Sequence, residues 1–147
     1  MRYYSYNELI KDLRHLSKKL ENQKIDAILA LSRGGLTAAH LLAEKFKIKM
    51  LFAMNVMHYK NQKKLDEVVI YNVPDLKDTK NILVVDEIID SGETMQEVMR
   101  ILNEKYQDKT FQTLALFQKK DACFKADFWA QTTDEWIEFC WEKDLND

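Results

Sequence analysis

Two apolar runs of strand length, each followed by a polar loop and a helical segment, most constrain the fold of this chain. Residues 25–31, apart from Asp26, and residues 82–85 form apolar runs, a pattern typical of strands that are buried on both faces. The segments that follow them, residues 36–46 and 94–105, have helical character. Strands that alternate with helices predict an α/β fold with a mostly parallel sheet flanked by helices.

The rest of the chain extends this pattern. Residues 49–57, 68–73 and 113–117 have the composition of strands, and the tail predicts one or two further short strands. The first twenty residues predict a helix, because Ser5 and Glu8 have the spacing of a capping box. Neither a linker nor a repeat interrupts the sequence, so residues 1-147 predict a single domain.

Composition excludes several classes of protein. The net charge is −2, from 22 basic and 24 acidic residues, so we expect no nucleic-acid partner. No apolar run approaches the roughly 18 residues of a membrane helix, so we expect no stable membrane insertion. Cys123 and Cys140 lack the spacing of a zinc site and predict reduced thiols in a cytoplasmic protein.

All three glycines lie in the two loops that follow the buried strands: Gly34, Gly35 and Gly92. Because ligands bind beyond the carboxyl ends of parallel strands, both loops are predicted to lie at one site. Residues 90–94 precede a helix, where backbone N–H groups, the helix dipole and the Ser91 and Thr94 hydroxyls suit a phosphate monoester. A plain strand-to-helix turn, with Gly92 as its turn residue, is the alternative.

Three carboxylates lie at the end of the second buried strand. Asp86, Glu87 and Asp90 fall within five residues and repel one another unless a cation or hydroxyl donors lie between them. A sugar diol with bound Mg²⁺ supplies both. The alternative is a solvated acidic turn.

Three segments together resemble a known family. ILVVDEIIDSGET (82–94) resembles the signature of the type I phosphoribosyltransferases, LSRGGL (31–36) the pyrophosphate loop of their xanthine-guanine branch, and DEWIEFCWE (134–142) the C-terminal segment of that branch. The chain is therefore identified as a member of this family, most similar to the 6-oxopurine enzymes. The resemblance implies the α/β fold with a small hood formed by the C-terminal segment.

The resemblance also implies roles in binding phosphoribosyl pyrophosphate. Asp86 and Glu87 would contact the ribose hydroxyls, directly or through Mg²⁺, and Asp90 would exchange a proton with N7 of the purine. The 5-phosphate would be held by Asp90, Ser91, Gly92, Glu93 and Thr94. The pyrophosphate would be held by Arg33, Gly34 and Gly35, where a surface salt bridge is the alternative for the arginine.

Residues 58–66 correspond to a mobile loop that closes over the reacting centre in the family. Lys63 matches a basic position that helps to bind pyrophosphate, with a solvated loop as the alternative. The branch often begins this loop with Ser-Tyr, whereas this chain has His58 and Tyr59.

The base pocket is the third part of the site that the resemblance implies. Lys119 would recognise the 6-oxo group of the purine, with Lys120 as the alternative. Trp136 would stack on the base, and Ile137 would add backbone contacts near its 2-position. For Trp136 a place in the hydrophobic core is the alternative.

The implied function is purine salvage with Mg²⁺ as cofactor. The enzyme would transfer the 5-phosphoribosyl group from phosphoribosyl pyrophosphate to N9 of guanine, xanthine or hypoxanthine, and release pyrophosphate. Similar enzymes are homodimers or homotetramers. Two alternatives are a non-catalytic regulator with the same fold that binds phosphoribosyl pyrophosphate or nucleotide, and a transferase that acts on adenine or a pyrimidine.

Overall fold

The computed structural model describes residues 1–60, 63 and 66–146. Eight strands and four helices follow one another in these residues, and a short 3-10 helix follows at Asp144–Asn146. Their bounds are β1 Arg2–Tyr4, α1 Tyr6–Leu20, β2 Ala27–Ser32, α2 Leu36–Phe46, β3 Leu51–Tyr59, β4 Glu67–Ile70, β5 Asn81–Ile89, α3 Glu93–Lys105, β6 Thr110–Lys119, β7 Phe128–Thr133, β8 Ile137–Phe139 and α4 Cys140–Lys143.

The main sheet has six strands in the order β4-β3-β2-β5-β6-β7. All neighbouring strands are parallel except β3 and β4, which are antiparallel. Side chains of β2 alternate between two hydrophobic cores: Ile28 and Ala30 face the core with α1 and α2, whereas Leu29 and Leu31 face the core with α3. Burial on both faces explains the unbroken apolar run, and the predicted α/β fold with a mostly parallel sheet is confirmed.

The hood is a second sheet of two parallel strands, β1 and β8. Here the predicted N-terminal helix is wrong at its start, because residues 2–4 form a strand and the capping box of Ser5 and Glu8 starts the helix at Tyr6. The Arg2 N–H donates to the carbonyl oxygen of Trp136 at 3.0 Å. The hood therefore consists of the C-terminal segment together with the first residues of the chain.

Two strands extend further than the sequence predicts. β5 runs through Ile89, because its pairing with β6 continues to the last residue, so Asp86 and Glu87 belong to the strand and not to a loop. β3 runs through Tyr59 for a similar reason, since its last residues pair with β4.

The predicted mobile loop, residues 58–66, is described only in part. Residues 58 and 59 belong to β3, and residues 60, 63 and 66 are described between β3 and β4. Positions 61, 62, 64 and 65 lie outside the described residues, so loop closure stays a prediction. Within the described parts of the chain, no helix combines the length and the apolar character that crossing a membrane requires.

Candidate active site

Both predicted loops line one cavity of about 240 Å³ at the carboxyl ends of β2 and β5. The β2–α2 loop contributes Arg33 and Gly34. The end of β5 and the loop to α3 contribute most of the remaining lining: Asp86, Glu87, Ile88, Ile89, Asp90, Ser91, Gly92 and Thr94. The convergence of the two loops that the sequence predicts is therefore present in the fold.

The β2–α2 loop packs tightly against β5. A side chain at Gly35 would overlap the carbonyl oxygen of Val85 and lie 2.9 Å from that of Leu31, so only glycine fits here. A side chain at Gly34 would overlap the Glu87 carboxylate, so the β2–α2 loop lies directly against this acid. The peptide bond between Ser32 and Arg33, which precedes both glycines, is cis.

Gly92 turns the chain from β5 into α3. Its φ of +93° lies in the left-handed region, and an added Cβ would lie 2.6 Å from the backbone nitrogen of Phe124. Ser91 fixes the turn, because its Oγ accepts from the Glu93 N–H at 3.3 Å and its carbonyl oxygen accepts from the Cys123 N–H at 2.7 Å. Gly92 itself is the N-cap and has no side chain, and the positive end of the helix dipole lies here, which suits an anion.

Asp86 and Glu87 lie part-buried at the base of the cavity. Burial raises the pKa of the Asp86 carboxyl, although the Glu87 N–H, which donates to its Oδ1 at 2.8 Å, opposes the rise. Burial raises the pKa of the Glu87 carboxyl too, and so do the charges of Asp86 and Glu142, while Arg33 lowers it. Two adjacent oxygen-donor groups that are costly to ionise alone fit a hard divalent cation such as Mg²⁺.

These raised pKa values predict a pH-dependent stability of the metal-free protein. An acid with a higher pKa in the folded state binds more protons when folded, so the free energy of unfolding falls as the pH rises from the unfolded pKa through the folded one. We expect Glu87→Gln to remove part of this loss and to stabilise the protein by about 1–3 kcal/mol at alkaline pH.

Thermal unfolding in the presence of a chelator, at acidic and alkaline pH, measures this effect. Glu104→Gln is the control, because Glu104 is exposed on α3 and pairs with Arg100. A Glu87→Gln variant that loses as much stability as the wild type between the two pH values contradicts the prediction.

A second pocket lies between the hood and β6. It is lined by Asp90, Lys119, Trp136 and Ile137 together with Glu87, Ile88, Glu135, Phe139 and Glu142. Lys119 Nζ lies 3.3 Å from Asp90 Oδ1, whereas Lys120 Nζ pairs with Asp134 at the surface at the same distance. Trp136 is 65% exposed and is no part of the hydrophobic core.

Three of the predicted site residues do not line either pocket. Gly35 lies behind the first cavity against Val85, where its role is steric. Glu93 begins α3, and its Oε2 lies 3.2 Å from His58 Nε2. Lys63 is exposed in the stretch between β3 and β4, next to positions that lie outside the described residues.

Sequence reasoning missed two residues of the site. His58 lines the first cavity, although it was noted only as a departure from the serine of the branch. Glu142 lines the hood pocket and its Oε2 accepts from the Phe139 N–H at 3.0 Å. The acid that follows Trp141 in the C-terminal segment was the available signal for Glu142.

Comparisons with known proteins agree with this geometry. Residues 2–147 match the model of the phosphoribosyl transferase domain. The chain is 28% identical over 148 residues to xanthine-guanine phosphoribosyltransferase of Idiomarina loihiensis, in an alignment that covers 98% of this chain and 88% of the relative.

Solved structures give the same result. The xanthine-guanine-hypoxanthine phosphoribosyltransferase of Helicobacter pylori superposes with a TM-score of 0.88 at 37% identity, covering 98% of this chain and 93% of that one. A purine phosphoribosyltransferase of Pyrococcus horikoshii superposes with a TM-score of 0.84 at 28% identity, covering 96% and 93%. The chain belongs to the phosphoribosyl transferase domain family.

Proposed function

We propose that this protein is a purine salvage enzyme that transfers the 5-phosphoribosyl group from phosphoribosyl pyrophosphate to N9 of a 6-oxopurine and releases pyrophosphate. The observation that carries the proposal is the continuity of two pockets. The cavity between the glycine loops and the pocket under the hood share Glu87, Ile88 and Asp90 in their linings. A sugar diphosphate in the first pocket and a flat base in the second would meet at Asp90.

The first cavity suits phosphoribosyl pyrophosphate. The 5-phosphate binds at the start of α3, at Ser91, Gly92 and Thr94, where backbone N–H groups and hydroxyls point to one anion. The pyrophosphate binds at Arg33 and Gly34, with Gly35 behind them, because the guanidinium fork matches phosphate oxygens. Lys63 adds positive charge from the loop above, and Glu93 supports the phosphate loop from its outer side.

Asp86 and Glu87 hold the ribose hydroxyls and Mg²⁺. When bound, Mg²⁺ neutralises the charge of the sugar pyrophosphate and of these two acids. The support for this assignment is their burial, their mutual repulsion and the contact between the Gly34 loop and the Glu87 carboxylate.

The hood pocket suits a purine with an oxygen at its 6-position. Trp136 offers an exposed ring face for stacking, and the backbone of Ile137 lies near the 2-position of the base. Lys119 donates to O6 and keeps one of its three N–H donors for Asp90. An amino group at the 6-position would face the ammonium as a second donor, which disfavours adenine.

The reaction is a displacement at C1 of the sugar. The bond between C1 and the pyrophosphate oxygen breaks, N9 of the base supplies the electron pair for the new bond, and Asp90 accepts the proton that leaves N7. The two loops hold the sugar phosphate while the hood holds the base, so much of the rate enhancement comes from positioning.

One assay tests the proposal. The purified protein is incubated with Mg²⁺, phosphoribosyl pyrophosphate and each of guanine, xanthine, hypoxanthine and adenine, and nucleotide formation is followed. We expect nucleotide from at least one 6-oxopurine and far less from adenine. Binding of phosphoribosyl pyrophosphate without turnover of any base would instead identify a regulator of the same fold, and turnover of adenine or a pyrimidine alone would assign another base.

A pair of variants tests whether Lys119 or Lys120 binds the 6-oxo group of the base. Lys119→Met should raise the KM for the 6-oxopurine by about 10- to 100-fold, because a charge-assisted hydrogen bond contributes about 1.5–3 kcal/mol. Lys120→Met is the matched control and should leave that KM near the wild-type value, since its ammonium is paired with Asp134 at the surface. Steady-state kinetics with the base as the varied substrate measure both, and the reverse order would assign Lys120.

We further propose that the protein assembles as a homodimer or homotetramer. Alternate side chains of β3 point to one face of the sheet, and three of its apolar ones, Leu51, Met57 and Tyr59, are 40%, 44% and 47% exposed. An exposed apolar sheet face of this kind favours contact with a second copy of the chain. Size-exclusion chromatography with light scattering should give two or four chains for the wild type and fewer for Leu51→Glu, and a monomeric wild type contradicts the assembly.

Two further proposals concern the domain organisation and the cellular location of the protein. Residues 1–147 form one domain, because both hydrophobic cores pack against opposite faces of the same sheet. The protein acts in the cytoplasm, where thiols stay reduced, and Cys123 and Cys140 are both free thiols.

A further inference from the structure

Three metal-ligating side chains meet beside the phosphate loop, on residues to which neither the family signature nor the proposed reaction gives a metal. His58 is near the end of β3, Asp66 directly precedes β4 and Glu93 begins α3. His58 Nε2 lies 3.2 Å from Glu93 Oε2 and 3.5 Å from Asp66 Oδ2. One ligand atom from each residue lies within 4.8 Å of the other two.

These distances match the spacing of ligands around a transition metal ion. Zinc binds imidazole nitrogen and carboxylate oxygen at about 2.0–2.2 Å, so two ligands of a tetrahedral ion lie about 3.3 Å apart. The two measured distances from the imidazole nitrogen lie on either side of this value. One oxygen of Asp66 and one of Glu93 also lie within 4.8 Å of each other, so all three side chains can approach one ion.

The chemistry of the three donors selects the ion. Imidazole suits Zn²⁺ and similar borderline ions, whereas Mg²⁺ prefers a set of oxygen ligands. His58 is only 19% exposed, so its ring is already held in place by the surrounding protein.

We propose that His58, Asp66 and Glu93 form a binding site for a divalent transition metal ion, with Zn²⁺ as the favoured occupant. The site uses neither Asp86 nor Glu87, although His58 lines the same cavity as those two acids. Three protein ligands leave a fourth position for water or another small ligand. The site joins the two ends of the segment between β3 and β4 to the first turn of α3.

Metal titrations test the site without reference to catalysis. The protein is freed of metal with a chelator, transferred to buffer with excess Mg²⁺, and titrated with Zn²⁺ by calorimetry and with Co²⁺ by visible absorption. We expect one saturable site, and we expect the visible absorption bands to be those of a Co²⁺ ion with a low coordination number. His58→Ala and Glu93→Gln should each weaken binding by at least about tenfold, since even residues outside the ligand set commonly contribute that much.

Matched variants identify the residues and make each outcome decisive. His40→Ala is the control for loss of a histidine, because His40 is exposed on α2 and pairs only weakly with Glu44 at 3.5 Å. Glu87→Gln should bind Zn²⁺ as the wild type does, so the result stands even if the proposed function fails. Equal binding by wild type and His58→Ala, or no saturable binding by the wild type, would show that the three residues form only an ion pair and would overturn the proposal. Because the circular dichroism spectrum reports folding, a misfolded His58→Ala variant leaves Glu93→Gln to decide.

Discussion

Asp90→Asn should lower kcat by about 10²- to 10⁴-fold, the range of a lost acid-base group. Asparagine keeps the size of the side chain and can still accept a hydrogen bond, but it cannot take up the proton that leaves N7. The backbone of Gly92 and the hydroxyl of Ser91, which we propose to bind the 5-phosphate, are unchanged, so binding of phosphoribosyl pyrophosphate should weaken far less than turnover. The Lys119 ammonium loses its ion-pair partner at 3.3 Å, which adds a smaller effect on the KM for the base.

Steady-state kinetics with each substrate varied in turn, together with calorimetric titration of phosphoribosyl pyrophosphate, separate these effects. Asp121→Asn is the matched control, because this exposed aspartate on the turn after β6 lines neither pocket. Equal losses in turnover and in phosphoribosyl pyrophosphate affinity would mean that Asp90 supports the phosphate loop and takes no part in proton transfer.

The main sheet was predictable because its pattern is local. Residues 27–31 of β2 and 82–85 of β5 are all buried, on one face or the other, and this burial requires the apolar runs that the sequence displays. Strand β1 was not predictable in this way. Its three residues are held by pairing with β8, more than 130 positions later, and by the packing of Tyr4 against Phe117 and Phe139.

The candidate site likewise has parts that the sequence predicts and parts that it does not. The meeting of the Arg33 loop with residues 86–94 follows from parallel strands, whose carboxyl ends share one edge of the sheet. The choice between Lys119 and Lys120 does not follow, because β6 ends at Lys119 and Lys120 lies in the turn after it. The pairing of β6 with β7, which continues to Lys119, decides where the strand ends. The approach of His58 to Glu93 likewise depends on how far β3 extends, which its pairing with β4 decides.

Gly35→Ala should destabilise the protein by about 1–3 kcal/mol, the usual cost of an overpacked site. The φ of Gly35 is −80°, which alanine adopts readily, so the backbone alone would favour the substitution by reducing the freedom of the unfolded chain. The opposing effect is steric. The new methyl group would overlap the carbonyl oxygen of Val85 and lie 2.9 Å from that of Leu31, and both atoms belong to the backbone of central strands.

Gly34→Ala is the matched control, since the three atoms nearest to its methyl group would all belong to the flexible end of the Glu87 side chain. That carboxylate can rotate away, so Gly34→Ala should change the free energy of unfolding little but weaken binding of phosphoribosyl pyrophosphate with Mg²⁺. The midpoint temperature of thermal unfolding should therefore fall for Gly35→Ala, by about 2–4 °C for each kcal/mol of stability lost. A Gly35→Ala protein as stable as the wild type would mean that α2 can shift outward at little cost, and Gly35 would then be free to vary without loss of the fold.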